Sequence, residues 1–324
     1  MYINSKYSVL IVGLGRMGMG YDFEKQSNNI ILSHAKSFYL NDDFRLAGGV
    51  DLKKNNMDNF ERKYKCKAFR SIKDALELNK PDIVIVSSST DNHFLNIKEI
   101  IKFGKPKMII CEKPLSFDIN EALEISDLCK KKQIMLFVNF FRRVLPGNLE
   151  ILSLIKSKEI STPFQGVCTY SKGLFNSSSH FIDFFQFLFG DVKKVKIINK
   201  NEIDKDPEPD FELQFEEGNI IFLANKNKCV FVNSIELIMG NSKLIFQNGG
   251  DNVVWKKIEE DKRFSGYKVF GDTFKVLRND CDRIQFYVAN QISLAMKGKI
   301  NFLCKSTEAL KTKRILEQIK SKII

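Results

Sequence analysis

Over the first 140 or so residues, apolar positions come in short unbroken blocks rather than in alternation. Val9 to Val12, Asp82-Ile-Val-Ile-Val86, Lys107-Met-Ile-Ile110 and Ile134-Met-Leu-Phe-Val138 read as strands buried on both faces of a parallel sheet. Mixed stretches between such blocks, Asn55 to Tyr64 and Ser71 to Leu78, predict helices, and Ser71 is placed to cap the second. Strand and helix in alternation predict a doubly wound parallel sheet with ligands at the carboxyl ends of its strands. From about residue 148 the pattern changes. A helix over Asn148 to Lys158 precedes an alternating strand, Phe164 to Tyr170, and a Phe-rich buried helix that ends at Gly190, a natural C-terminal cap. Alternation then predicts strands at Val195 to Ile198, Phe211 to Phe215, Asn219 to Ala224, Phe231 to Met239, Lys243 to Gln247 and Val253 to Ile258. Helices close the chain at Asp280 to Met296 and Ser306 to Lys320. The second half is thus expected to be an α+β domain with a large, mostly antiparallel open sheet.

The turn after the first apolar block is Gly13-Leu-Gly15-Arg16-Met17-Gly18, which fits G-x-G-x-x-G. Gly13 permits a tight turn, Gly15 lets a pyrophosphate approach the backbone and Gly18 allows close packing, the arrangement of a Rossmann dinucleotide site. Free amides at the start of the next helix are expected to receive the phosphate. The second strand, Phe44 to Val50, ends in Asp51, an acid suited to ribose hydroxyls and hostile to a 2′-phosphate. Gly13 and Asp51 stand 38 positions apart, against a usual offset of about 20. A polar insertion over residues 21 to 33, ahead of a helix beginning near Ser33, accounts for the excess. The other reading of these glycines is an ordinary strand-to-helix turn.

The chain has 324 residues, enough for two domains with substantial cores. Its seven cysteines form no C-x-x-C pair and suit reduced thiols, and three histidines give no zinc-like cluster, so no metal is expected. No run of about 18 apolar residues is present, and the first six residues lack a signal peptide's apolar core. A cytoplasmic protein that does not enter a membrane is expected. The net charge of +12, from 51 basic and 39 acidic residues, is spread along the chain and reads as a solvated lysine-rich surface rather than a nucleic-acid footprint. The charged, proline-containing stretch Asp204 to Asp210 reads as a loop rather than a metal site.

Segments that follow the apolar strands complete a pattern. Ser87-Ser88-Ser89-Thr90-Asp-Asn-His93 follows one, Glu112-Lys113-Pro114 another, and Asn139-Phe-Phe-Arg142-Arg143 a third. Together with the glycine turn and Asp51, this order resembles the Gfo/Idh/MocA family, the glucose-fructose oxidoreductase and inositol dehydrogenase group. The resemblance implies a Rossmann domain over 1–120, extended by 121–147 and by a returning helix over 306–324, and a substrate and dimerisation domain over 148–305. It implies a nicotinamide dinucleotide, which the acid at Asp51 makes NAD rather than NADP, held by Gly13, Gly15, Arg16, Met17, Gly18, Asp51, Ser88, Ser89, Thr90, His93, Glu112, Lys113 and Arg142. It also places Lys113 beside the reacting carbon of a sugar or polyol. The alternative for Lys113 is a surface lysine before a proline turn.

A second family signature, Asp-x-Gly-x-His-x-x-Asp, is matched in part by Asn176-Ser-Ser178-Ser-His180-Phe-Ile-Asp183. Asn176 can hydrogen-bond a hydroxyl but cannot take a proton, so His180 is expected to carry proton transfer, with Lys113 polarising the oxygen. A helix start beside His180 would favour a neutral imidazole, and Asp183 would orient the ring. A capping or core histidine is the other reading. The expected activity is hydride transfer at a hydroxyl-bearing carbon of a carbohydrate, polyol or sugar nucleotide. A redox-neutral NAD-dependent glycosidase and a non-catalytic, protein-binding family member are the alternatives. Apolar residues on both alternations at Ile220-Ile-Phe-Leu223 point to a homodimer or homotetramer built through the sheets.

Overall fold

A computed structural model describes residues 6–201 and 206–323. Residues 1–5, read above as lacking a signal peptide's apolar core, and Asp204 and Lys205 of the charged, proline-containing stretch lie outside the described residues, as does residue 324. Backbone contacts divide the chain into two compact units, Met1–Phe141 with Asp282–Lys311, and Arg142–Cys281 with Thr312–Ile324. Residues 282–305, expected in the second domain, therefore group with the first. Two backbone hydrogen bonds show why: the Ile31 amide donates to the Asp282 carbonyl at 2.7 Å, and the Gln285 amide to the Ile31 carbonyl at 3.2 Å.

The first unit runs β1 (Tyr7–Val12), α1 (His34–Leu40), β2 (Phe44–Val50), α2 (Lys54–Tyr64), β3 (Ala68–Phe69), α3 (Ile72–Asn79), β4 (Ile83–Val86), α4 (His93–Phe103), β5 (Met108–Cys111), α5 (Ile119–Lys131) and β6 (Met135–Val138). Its seven-stranded sheet includes β15 (Cys304–Lys305), in the order β15-β6-β5-β4-β1-β2-β3. All pairs are parallel except β15 with β6. Strand order reverses between β1 and β4, and this reversal opens the crevice where open α/β sheets bind ligands. The block-like apolar pattern is explained directly: Val9 to Ile11 and Ile83 to Val86 are fully buried, with helices on both faces of the sheet. Ser71 caps α3, its hydroxyl accepting the Asp74 amide at 3.2 Å.

The second unit contains α6 (Pro146–Lys156), β7 (Phe164–Tyr170), a π-helical turn (Gly173–Ser178), α7 (Ser179–Phe189), β8 (Lys194–Asn199), β9 (Asp210–Gln214), β10 (Gly218–Ala224), β11 (Ser234–Met239), β12 (Ser242–Gln247), β13 (Asn252–Glu260) and β14 (Lys268–Arg278). Its eight-stranded sheet has the order β14-β13-β12-β11-β7-β10-β9-β8 and is antiparallel except for β7 with β10. The Phe-rich helix α7 lies on one face: Phe184 meets Phe246 at 5.8 Å, Phe185 meets Phe222 at 5.8 Å, and Phe189 stacks on Phe164 at 3.8 Å between ring centroids. Gly190 ends that helix at φ 85°, a conformation that favours glycine.

Three sequence expectations needed revision. Strand β14 was not foreseen, because most of its residues are exposed and its pattern is not a clean alternation. The strand expected from Phe231 begins at Ser234. In the last stretch, α8 (Ile284–Met296) follows a 3-10 turn at Cys281–Arg283, and α9 (Ser306–Ile323) crosses from the first unit to the second.

Candidate functional site

In the first unit, the glycine turn sits at the sheet's switch point. Gly13 has φ +96°, and a Cβ there would lie 2.4 Å from the Ser88 amide nitrogen, so the turn after β1 presses on the segment after β4. A Cβ on Gly18 would fall 2.0 Å from the Gly13 carbonyl oxygen, which makes the close approach one within the turn itself rather than between helix and strand. Gly15 has nothing within 4 Å of its Cβ position. Open backbone at this glycine, in a turn at the switch point, fits the pyrophosphate of a dinucleotide.

The start of α1 differs from expectation. Its first amides do not face outward for phosphate: His34 donates to the Met17 carbonyl at 3.0 Å and Ala35 to that of Gly18 at 2.9 Å. The helix start is instead bound to the glycine turn. The insertion ahead of it is fixed by buried Asp22, which accepts from the Leu32 and Ser33 amides at 2.6 and 3.0 Å and from the Ser33 hydroxyl at 2.5 Å. Lys36 adds bonds to the carbonyls of Lys25 and Ser27, both at 2.8 Å.

Asp51 reaches the same turn. Its Oδ2 accepts from the Leu14 amide at 2.8 Å and from Asn56 Nδ2 at 3.0 Å, while Oδ1 accepts from the Lys53 amide at 2.8 Å. Arg16 is exposed and Met17 half-buried beside it. After β4, Ser88 and Thr90 are half-buried and Ser89 is exposed. His93 is buried between two carbonyls, with Nδ1 2.9 Å from Pro114 O and Nε2 3.1 Å from Ser88 O, and so ties the segment after β4 to the one after β5. Burial holds its pKa below the ordinary 6.5, against the opposing effect of those carbonyls.

At the end of β5, Lys113 is half-buried, whereas Glu112 is buried and sits at the hub of a polar network. Glu112 Oε1 accepts from His34 Nε2 at 2.7 Å and from Asn139 Nδ2 at 2.7 Å. Asn139 also approaches Gln285 Oε1 at 3.4 Å. Burial would raise the carboxyl's pKa, but the bonds from His34 and Asn139 and the nearby charges of His34 and Lys113 outweigh it, and the group is held below its ordinary value of 4.5. His34, Asn139 and Gln285 were not among the expected site residues. No local signal marks His34, because its partner is 78 positions away.

Arg142, Asn176 and His180 fall in the second unit. Arg142, expected at the cofactor, is buried there; its Nη1 donates to the Gly249 carbonyl at 2.9 Å and its guanidinium lies 4.4 Å from the centre of the Phe181 ring. The serines before His180 do not cap a helix. Ser178 and Ser179 donate back to the Leu174 and Phe175 carbonyls, both at 2.7 Å, and the helical run begins five residues earlier in the π-helical turn. Its leading amides are already met by acids: Gly173 donates to Glu208 Oε1 at 2.9 Å, Phe175 to Asp206 Oδ1 at 2.8 Å and Asn176 to Asp206 Oδ2 at 3.0 Å. The positive helix end expected beside His180 is therefore a turn away and covered by carboxylates. His180 is half-buried and the Asn176 side chain exposed. Asp183 is clasped by Arg143 through two bonds of 2.7 and 2.8 Å in a buried pair.

Residues 7–140 match the family model described as an oxidoreductase family with an NAD-binding Rossmann fold. Over that stretch the chain is similar to the Gfo/Idh/MocA oxidoreductases. Among curated family relatives, a myo-inositol 2-dehydrogenase of Thermotoga maritima is 24% identical over 80% of this chain and 81% of its own. Two solved structures show the same fold. One, described as an NADPH-dependent oxidoreductase from Desulfitobacterium hafniense, has a TM-score of 0.76 at 19% identity over 99% of this chain and 96% of its own. The other, the WlbA dehydrogenase of Bordetella pertussis in complex with NADH and UDP-GlcNAcA, has a TM-score of 0.76 at 14% identity over 98% and 95%. The glycine turn and Asp51 lie within the matched stretch, as do Glu112 and Lys113.

No disulfide joins any of the seven cysteines, and burial pushes the thiols of Cys129 and Cys281 up to about 12, which makes those two poor nucleophiles at neutral pH. Among the described residues no cluster of His, Cys, Asp or Glu could hold a metal, and no helix is long and apolar enough to cross a membrane.

Proposed function

We propose that the protein is a cytoplasmic NAD-dependent dehydrogenase or reductase acting on a CH–OH carbon of a sugar, polyol or sugar nucleotide. The observation that carries this reading is Glu112-Lys113-Pro114 at the end of β5, in the same unit as a glycine turn with open backbone at Gly15 and an acid, Asp51, bonded to that turn. NAD would be held by the glycine turn and the Asp51 carboxylate, and when bound it supplies the acceptor or donor of hydride. Lys113 stabilises the alkoxide that develops on the substrate oxygen, and His180 exchanges the hydroxyl proton. Asn176 hydrogen-bonds a substrate hydroxyl, since an amide takes no proton.

The substrate class follows the myo-inositol dehydrogenase among the relatives and the sugar-nucleotide complex among the solved structures. Asn176, where the family signature has an acid, favours a second reading, a redox-neutral or non-catalytic member that keeps cofactor without net turnover. Mass spectrometry of small molecules that co-purify with the protein, followed by turnover at the nicotinamide absorbance, tests the two. A sugar or polyol that changes the oxidation state of the cofactor supports the dehydrogenase; bound NAD that no such compound reduces supports the second reading.

A further inference from the structure

We propose that His34 is a positioning residue for Lys113, acting through Glu112. The proposal rests on the reading of Lys113 as the reacting-centre lysine. His34 joins two parts of the first unit: its backbone amide donates to Met17 in the glycine turn at 3.0 Å, and its ring is 2.7 Å from Glu112, the residue before Lys113. Histidine, carboxylate and Asn139 are all buried, with 1%, 9% and 4% exposure, so water does not compete for these bonds.

Glu112 is ionised at neutral pH and can only accept, so His34 Nε2 carries the hydrogen. The ring's Nδ1 is buried with no hydrogen-bond partner among the described residues, and the orientation of the imidazole is therefore set from the Nε2 side. Asn139 shares the same carboxylate oxygen, which leaves Glu112 with two donors on Oε1.

A carboxylate fixed in this way is a constant negative charge next in sequence to Lys113. The titratable groups that feel it are His34, Lys113, His93 and Cys111. An opposite charge favours the ammonium form of a lysine. With His34 removed, Glu112 is free to turn or to protonate, and Lys113 loses that support. His34 would then govern the protonation of Lys113 without touching substrate.

The test needs no substrate. Competitive acetylation of native protein across a range of pH, read peptide by peptide by mass spectrometry, gives the pH midpoint at which Lys113 becomes reactive. Both His34→Ala and Glu112→Gln should lower that midpoint, and labelling at a fixed pH below it should rise about tenfold for each pH unit by which the midpoint falls. The double variant should go no lower than Glu112→Gln alone, and His34→Gln, which keeps an N–H donor, should stay near wild type. An unchanged midpoint in His34→Ala, or additive changes in the double variant, would overturn the proposal. If His34→Ala fails to fold, nitrogen-15 NMR of the wild-type histidines decides. The His34 Nε2 proton should exchange slowly, and at least about tenfold faster in Glu112→Gln; a fast-exchanging or absent proton there in wild type would equally overturn it. Failure of every sugar or polyol to turn over would count against the redox reading alone, because labelling and exchange report the His34–Glu112–Lys113 linkage by themselves.

Discussion

Asp51 Oδ2 accepts the Leu14 amide at 2.8 Å, which bonds the acid at the end of β2 to the turn that carries the glycines. A carboxylate held in that place repels a 2′-phosphate by on the order of 1 kcal/mol at about 4 Å in water, and more where solvent is displaced. Wild type should therefore bind NAD roughly fivefold or more tightly than NADP, and Asp51→Ser should narrow the ratio. Calorimetric titration of both cofactors measures it. Equal or tighter binding of NADP by wild type would remove Asp51 from the ribose site.

The glycines of the turn should separate by their surroundings. Gly13 combines φ +96° with a Cβ position 2.4 Å from backbone, so Gly13→Ala should destabilise the fold by about 1–3 kcal/mol for the strained backbone and more for the clash. Gly15 has open space at its Cβ, so Gly15→Ala should leave stability within about 0.5 kcal/mol while weakening NAD binding at least about tenfold. Thermal unfolding and NAD titration of both variants give the comparison. Full NAD affinity in Gly15→Ala would show that no phosphate passes that backbone.

Much of the first unit was legible because a strand buried on both faces leaves an uninterrupted apolar run that few other elements share. Val9 to Val12 and Ile83 to Val86 are of this kind, and Ser71 marks its helix through the hydroxyl bond that caps it. What escaped depends on contacts distant in sequence. His34 gives no sign of its bond to Glu112, and Asp206 and Glu208 read only as a charged loop although they hold the amides of the π-helical turn before His180. The serines at 177–179 have helix-start chemistry, yet Ser178 and Ser179 donate back to carbonyls four residues earlier. Strand β14 was missed because an exposed edge strand lacks the alternation that burial of one face imposes.

Acid should weaken the first unit in two steps. The His93 imidazole has a folded pKa below 6.5, so the unfolded chain takes up its proton first; stability is full above pH 6.5 and falls from there toward the lower folded value. Glu112 also has a depressed folded pKa, so its contribution is present above pH 4.5 and is lost as pH falls through the folded value. Urea unfolding as a function of pH should show an upper slope of at most about 1.4 kcal/mol per pH unit for one proton, absent in His93→Gln. An upper slope unchanged in that variant would place its origin elsewhere.

The open sheet predicts assembly with a second copy of the chain. Register aligns Ile221, Val167, Glu236, Ile245, Val254 and Val276 in one row across β10, β7, β11, β12, β13 and β14. Val167 and Val276 in that row are 39% and 40% exposed. Exposed valines on this face predict a homodimer or homotetramer through the sheet, and Val167→Asp should dissociate it. Light scattering at micromolar concentration checks this, and a wild-type mass of 37.4 kDa would contradict it.

The most direct test of the proposed activity is single-turnover hydride transfer, followed at the nicotinamide absorbance with a sugar, polyol or sugar nucleotide found by co-purification or screening. Lys113→Ala and His180→Ala should each slow the step by about a hundredfold to ten-thousandfold, the usual effect of losing an acid–base group. NAD affinity should hardly change, because the glycine turn and Asp51 are untouched. Asn176→Asp should alter the pH dependence of the rate. Turnover at the wild-type rate in both alanine variants would contradict the assignment of Lys113 and His180.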